Sequence, residues 1–299
     1  MRILVTGASG LLGNKVIKLA LKRGHEVYSI YKEHPISIGK SIKLDITSYR
    51  ELHDVISRIK PDVIIHTAAY TDVDGCEMNK DLAWKVNAEA TKHIAIISAK
   101  VSSYLIYIST DYVFDGSKGL YSEEDIPNPI SYYGYTKQKG EEFVREYAKE
   151  WCIARTSVIY GWGLHHKMNF ATWLISNLKQ GKEVKVLIDQ YVSPTLNINL
   201  AQMILEMAER RLSGILHTAG RTRVSRFMFA LSLAETFGLN VSLIKPAKME
   251  EMNWKAKRPK DSSLNVNKAI SMLKTKPLEL HEALKAMRRD NHESWDFHT

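Results

Sequence analysis

Tyr133 and Lys137 stand four residues apart, so on a helix they share one face. That spacing has a chemical use. Reduction of a carbonyl by hydride leaves an alkoxide that needs a proton. A tyrosine can supply it if its pKa falls from about 10 toward the working pH. A lysine ammonium one turn onward favours the phenolate and lowers that pKa, and lysine can also bond the ribose of a nicotinamide. The apolar run Tyr104–Ser109 reads as a buried strand, and Thr110 follows it with a neutral hydroxyl able to hold a carbonyl oxygen. Tyr132 lies five residues from Lys137 and Tyr135 only two, so Tyr133 fits best. A Tyr-x-x-x-Lys pair is common by chance and takes its weight from the order of the motifs around it.

Hydride chemistry needs a nucleotide site, and the first thirteen residues, MRILVTGASGLLG, have the form of one. Ile3, Leu4 and Val5 read as a buried parallel strand. Gly7, Gly10 and Gly13 follow at a spacing of three, and an apolar-periodic helix runs from Leu11 to Leu21. Strand, glycine turn, helix is the context that gives such a motif meaning. The free amides of the helix start, at Leu11, Leu12 and Gly13, then face the pyrophosphate of an NAD(P) cofactor. In folds of this kind an acidic residue often closes the second strand and holds a ribose hydroxyl. Here that place is Tyr31 followed by Lys32, which favours NADPH over NADH. The strand Val63–Ile65 runs into His66-Thr67-Ala68-Ala69-Tyr70. Small residues after a parallel strand suit a close backbone approach to a cofactor, and His66 reads as structural.

The elements that must position these groups alternate strand and helix. Strands are expected at 25–30, 41–46, 63–65, 104–109, 152–160, 184–188 and 214–218. Helices are expected at 11–21, 49–59, 79–100, 169–178, 199–211 and 225–237. The fold class is α/β, a doubly wound parallel sheet of Rossmann type with a smaller C-terminal substrate-binding domain. Residues 1–160, with returning segments near 187–220, form the nucleotide-binding part, and 161–299 mainly the substrate part. The last sixty residues, lysine-rich and polar, complete the latter, and His292–Thr299 is expected to fray.

The chain has 299 residues, 44% of them hydrophobic and 25% charged, an ordinary globular composition. Two cysteines, Cys76 and Cys152, argue against a disulfide framework and for a reducing compartment. No apolar run approaches membrane-spanning length, and the first strand begins at once, so a cytoplasmic location without a signal peptide is expected. The net charge of +9 is spread along the chain. Its densest cluster, Lys255, Lys257, Arg258 and Lys260, matches no nucleic-acid module, so neither nucleic acid nor membrane is expected as a partner. A solvated basic surface combined with a site for anionic ligands accounts for the charge.

The glycine spacing, with Thr6 before it, resembles short-chain dehydrogenase/reductases of the extended type. Ile108–Gly116 (ISTDYVFDG) and Tyr133–Glu141 (YGYTKQKGE) resemble the hallmark runs of the dTDP-4-dehydrorhamnose reductase family. Ala68–Asp74, Val86–Ala90, Arg155–Ser157, Asp189–Tyr191, Ser193–Thr195, Arg258-Pro259 and Leu264-Asn265 are similar to it too, so the resemblance spans nearly the whole chain. It implies NAD(P)H-dependent reduction of the 4-keto group of a dTDP-linked deoxysugar, a nucleotide-sugar substrate, and Thr110, Tyr133 and Lys137 as catalytic residues. It also implies Asp111 beside the sugar, Asp45 and Ile46 against the adenine, and Asn87 holding active-site backbone. A homodimer is allowed for. Two departures stand out. Val158 occupies a place where the family often has tryptophan, with Trp162 a few residues on. Lys15 replaces an acidic metal ligand of some members, so no metal site is expected.

Two alternatives remain open. One is a non-catalytic NADP-binding regulatory subunit resembling that of methionine adenosyltransferase. The other is a nucleotide-sugar epimerase or dehydratase. Dehydratases usually carry Asp-Glu after the threonine, where this chain has Asp111-Tyr112.

Overall fold

The computed structural model describes residues 1–164 and 168–290. The expectation for His292–Thr299 lies outside them. Six parallel strands in chain order form most of the central sheet: β1 (Arg2–Thr6), β2 (Glu26–Tyr31), β3 (Lys40–Lys43), β4 (Val63–His66), β5 (Tyr104–Thr110) and β6 (Trp151–Thr156). The strand Gly214–His217 joins the far edge beside β6. Across the sheet the order is Gly214–His217, β6, β5, β4, β1, β2, β3. The chain winds outward from β1 in one direction and then crosses to β4 on the other side. The resulting switch point between β1 and β4 is where doubly wound sheets bind ligands. The register sets Ile3 between Val27 and Val63, and Val5 between Ser29 and Ile65. Residues buried on both faces explain why β4 and β5 read as unbroken apolar runs.

Two hydrophobic layers cover the sheet. On one face α1 (Leu11–Lys22) packs on the helix Asn197–Arg210, with Val16, Ile17, Leu200 and Ile204 inside. The other face is closed by α2 (Tyr49–Ile59) and by the helix Ala90–Lys100 with the helix Tyr132–Tyr147, around Leu52, Ile56, Ile94 and Val144. A third core lies beyond the sheet. It joins the helices Phe170–Lys179, Arg226–Phe237 and Leu280–Arg289 to the paired strands Val184–Leu187 and Ile244–Ala247. The C-terminal residues serve two cores: Ala269 and Leu273 pack under the sheet, whereas Leu284 and Met287 enter the third cluster.

Two elements differ from expectation. Residues 152–160 are not one strand. β6 stops at Thr156, Val158 takes a left-handed φ of 38°, and Ile159–Tyr160 pairs instead with Thr195–Leu196. Thr195 enforces the break by donating its hydroxyl to the Ser157 carbonyl at 2.6 Å. The helix expected at 79–100 is interrupted by a π turn at Lys85–Glu89. Such turns insert one residue and are frequent at functional sites. Among the described residues no helix is long and apolar enough to cross a membrane.

Candidate active site

The glycine turn lies against the segment that follows β4. A Cβ at Gly7 would stand 2.7 Å from the Ala68 nitrogen, and Gly7 adopts φ 68°. A Cβ at Gly13 would meet the Gly7 carbonyl oxygen at 2.3 Å, and one at Gly10 would stand 3.1 Å from the same atom. Side chains are therefore excluded at Gly7 and Gly13, where backbone must come close, and are tight at Gly10. Gly10 caps α1 without a side-chain hydrogen bond, and the first turn, including Leu11 and Leu12, carries no acidic residue. The helix start thus offers amides and partial positive charge to an anion. These features fit a dinucleotide pyrophosphate.

Asn87 sits in the π turn and is buried. Its side-chain oxygen accepts from the Tyr70 amide at 2.8 Å, and its amide donates to the Tyr70 carbonyl at 3.0 Å. The same amide reaches the Thr136 hydroxyl at 3.2 Å. One side chain therefore fixes the Ala68-Ala69-Tyr70 segment and ties it to the helix that carries Tyr133. His66 is buried between Thr6 (2.7 Å) and Thr91 (3.1 Å), and burial pushes its pKa down to about 3. It is a neutral structural bridge.

On the outer side, Lys32 follows β2 and pairs with Asp45 at 3.1 Å. Burial would raise the Asp45 carboxyl, but hydrogen bonds from the Thr47 amide and hydroxyl, and the Lys32 charge, outweigh it and hold it low. Ile46 beside it is buried in the core.

Thr110 ends β5, and its oxygen accepts from the Tyr112 amide at 3.2 Å, capping a short 3-10 turn. Ser131 caps the helix Tyr132–Tyr147 by accepting from the Gly134 amide. This start brings Tyr133, a half-buried residue, beside Thr110, and the Tyr112 ring meets the Tyr133 ring edge-on at 5.9 Å. Lys137, one turn on, is buried, donates to the Ile108 carbonyl at 2.7 Å and lies 4.0 Å from the centre of the Tyr107 ring.

The electrostatics differ from the expected acidified phenol. Burial pushes the Tyr133 pKa well above its ordinary value. Burial also pushes Lys137 down to about 7, while the Glu141 carboxylate pulls the other way. Desolvation disfavours both charged forms at once. In this state Tyr133 keeps its proton.

Several contributors were not singled out by their types. Glu141 continues the Lys137 face by one turn and pairs with Arg155 of β6, with contacts of 2.9 and 2.7 Å. Ser109 donates to the same carboxylate at 2.6 Å. This buried bridge locks the Tyr133 helix onto β5 and β6. The available signal was Arg155 itself, a charge inside an apolar strand that must find a partner. Asp111, which the resemblance places beside the sugar, is itself buried and accepts from the hydroxyls of Thr110, Ser157 and Ser262. No local pattern announces Ser262, which arrives from far along the chain.

The basic cluster near residue 258 is drawn inward. Arg258 is nearly buried, pairs with Asp74 at 3.1 Å, and acts with Arg226 on Tyr112, whose ring meets Tyr133. Trp162 does not take the place opposite Val158: it is buried in the third core and donates to the Met287 carbonyl at 2.8 Å. Lys15 is bound to Asp290 at 2.7 Å, and among the described residues no cluster suited to a metal occurs.

Residues 1–292 match the model of the RmlD substrate binding domain. The chain is 34% identical over 291 residues to the probable low-salt glycan biosynthesis reductase Agl14 of Haloferax volcanii, covering 96% of this chain and 97% of that one. A solved structure of a hypothetical dTDP-4-dehydrorhamnose reductase from Sulfolobus tokodaii superposes with a TM-score of 0.85 at 45% identity, over 94% of this chain and 98% of that one. The dTDP-4-dehydrorhamnose reductase of Bacillus anthracis, solved in complex with NADP, gives a TM-score of 0.87 at 32% identity, over 97% and 99%.

Proposed function

The chain belongs to the RmlD substrate binding domain family, and on that premise we propose that it is an NADPH-dependent reductase of the 4-keto group of a dTDP-linked deoxysugar. The relatives named dTDP-4-dehydrorhamnose reductase, one of them holding NADP, support this assignment. One observation of this chain carries it: Thr110 and Tyr133 lie at the carboxyl end of β5, on the same sheet edge as the glycine turn that leaves no room for a Cβ at Gly7 or Gly13.

When bound, the reduced nicotinamide supplies the hydride. The chain's own residues do the rest. Gly7, Gly10 and Gly13, with the amides of Leu11 and Leu12, receive the pyrophosphate. Asn87 holds the Ala68–Tyr70 backbone in place. Tyr133 carries the proton that the sugar O4 takes up as the ketone becomes an alcohol. Lys137, whose pKa is pushed down to about 7 by burial, compensates the phenolate left behind when it holds its proton. Arg226 and Arg258 favour the negative charge of a nucleotide diphosphate. Two free, buried cysteines support a reducing, cytoplasmic setting.

Purified chain given NADPH and a dTDP-4-keto-6-deoxysugar should consume the reduced cofactor stoichiometrically, with UDP- and GDP-linked analogues turned over more slowly. Net NADP production separates a reductase from an epimerase, which returns its cofactor unchanged. Tyr133→Phe should lower kcat by about a hundredfold or more while leaving NADPH binding intact. NADPH binding without turnover of any keto sugar would instead favour a regulatory subunit.

A further inference from the structure

Arg155 is a long cation sealed inside the sheet: it and its partner Glu141 are each 1% exposed. The guanidinium is committed to that one carboxylate. Nε donates to Glu141 Oε1 at 2.9 Å and Nη2 to Oε2 at 2.7 Å, while Nη1 is buried without a hydrogen-bond partner. Ser109, opposite Arg155 in the β5–β6 register, donates its hydroxyl to Oε1 at 2.6 Å. Three donors from the sheet therefore occupy the carboxylate. Lys137 precedes Glu141 by four residues on the same helix face, a spacing at which lysine and glutamate ordinarily attract each other. Here they are not hydrogen-bonded. The Lys137 ammonium donates instead to the Ile108 carbonyl at 2.7 Å. An ammonium has three N–H groups, so two are left for other acceptors. Adjacent residues of β5 thus take the two groups apart, Ile108 the lysine and Ser109 the glutamate.

We propose that Arg155 is a positioning residue that acts through Glu141: by holding the carboxylate against β6, it keeps Glu141 from pairing with Lys137 and leaves the ammonium to the cofactor and substrate. The bridge is then more than a strut between helix and sheet. A bare carboxylate one turn away would draw the ammonium off Ile108 and hold its proton; Arg155 cancels that charge. Lys137 accordingly stays low, at about 7, despite its acidic neighbour. The titratable and charged groups facing Lys137 come from four elements. They are Tyr133 and Glu141 on its own helix, Tyr107 on β5, His66 on β4 and, behind Glu141, Arg155 on β6. His66 is neutral above about pH 3, and burial keeps the Tyr107 and Tyr133 phenols protonated. Glu141 and Arg155 are therefore the two charges able to set the lysine.

Titrating Lys137 itself by NMR tests this without turnover. In the full chain carrying isotopically labelled lysine, the Cε resonance that disappears in Lys137→Met belongs to this residue, and its midpoint reads the proton. Glu141→Gln leaves the Arg155 charge unopposed and should lower the midpoint by about one pH unit. Arg155→Met bares the carboxylate and should raise the midpoint by a similar amount. If that bared charge unfolds the chain, Glu141→Gln/Arg155→Met removes both charges together. Its midpoint should lie above that of Glu141→Gln alone. Arg155→Lys keeps the cation and should stay nearest the unmutated chain. A bridge with a purely structural role would change stability and leave the midpoints together, or shift Glu141→Gln and Arg155→Met in the same direction. Either result overturns the proposal, as does a double variant that titrates with Glu141→Gln. The kinetic consequence rests on the reductase assignment: the alkaline limb of kcat/KM should follow the midpoints, down in Glu141→Gln and up in Arg155→Met. A limb that stays fixed while the midpoints move overturns the claim that this ammonium serves the reaction. Absence of turnover in the unmutated chain would count against the reductase assignment and leave the NMR result standing.

Discussion

Lys137 gives its hydrogen bond to the Ile108 carbonyl, at 2.7 Å, and Glu141 one turn onward is held by Arg155. The lysine is buried with one neutral acceptor and no directly bonded carboxylate. Its pKa falls from 10.5 to about 7 for that reason.

A stability slope follows. Between about pH 7 and pH 10.5 the unfolded chain keeps a proton on Lys137 that the folded chain has released. Stability contributed by this residue therefore rises with pH across that window and is lowest, and flat, below it. Lys137→Met should abolish turnover yet melt higher than the unmutated chain near pH 6.5. The gap should narrow as pH approaches 10. Melting curves of the two proteins that run parallel across this range would contradict the desolvation account.

Much of the scaffold was legible because its signals are local. The run Ile3–Val5, the glycine spacing and the apolar stripe of Leu52, Val55, Ile56 and Ile59 each specify an element from within a dozen residues. The helical spacing of Tyr133 and Lys137 was equally readable. What escaped depends on pairings between distant segments. The break after Thr156 is caused by Thr195, nearly forty residues later. The direction of the Lys137 ammonium is set by the Ile108 carbonyl on a neighbouring strand. Periodicity reports which face of an element is apolar, but not which polar atom of another element will meet it.

Buried histidines set the acid limit of the fold. Burial pushes both His66 and His217 down to about 3 from an ordinary value of 6.5. Each stays neutral in the folded chain and takes a proton on unfolding at lower pH. The stability they contribute is complete above about pH 6.5 and is lost as pH falls toward 3. Between about pH 6 and 5, where exposed carboxylates are still ionised, unfolding should take up close to two protons at these two histidines, with a smaller uptake at His93, whose pKa burial also lowers. The slope is then about 2.7 kcal/mol per pH unit, at about 1.36 for each proton. Denaturant titrations at stepped pH measure it. His66→Asn should remove about 1.4 kcal/mol per pH unit of the slope, and a slope unchanged by that substitution would show that His66 is not the proton acceptor.

Val158 is a backbone strain site. A β-branched residue at φ 38° is disfavoured, at a cost of about 1–2 kcal/mol. The conformation is held by the Thr195 amide, which donates to the Val158 carbonyl at 3.1 Å. Glycine adopts this φ freely. Val158→Gly should raise the unfolding free energy by about 1 kcal/mol, less what the lost side-chain contacts supplied. Val158→Ile keeps the strain and should gain nothing. A Val158→Gly chain less stable than the Val158→Ile chain in urea would show that side-chain packing outweighs the backbone.

Lys32 is expected to decide between the two nicotinamide cofactors, and its pairing makes the effect tunable. Its ammonium lies at the end of β2, a little over half exposed, with Asp45 at 3.1 Å and Glu33 at 3.9 Å. An exposed ion pair is worth little, so a 2′-phosphate can compete for the lysine. Lys32→Ala should raise KM for NADPH about tenfold, the equivalent of about 1.4 kcal/mol, and change KM for NADH far less. Asp45→Asn removes the competing carboxylate while keeping the Thr47 acceptor, so NADPH should bind more tightly than to the unmutated chain. Because the ammonium is largely solvated, both effects should shrink between low and physiological ionic strength. Steady-state kinetics with each cofactor at two salt concentrations distinguish this from a purely structural role for the pair. A structural role would move KM for both cofactors together and would leave the NADPH-to-NADH ratio indifferent to salt.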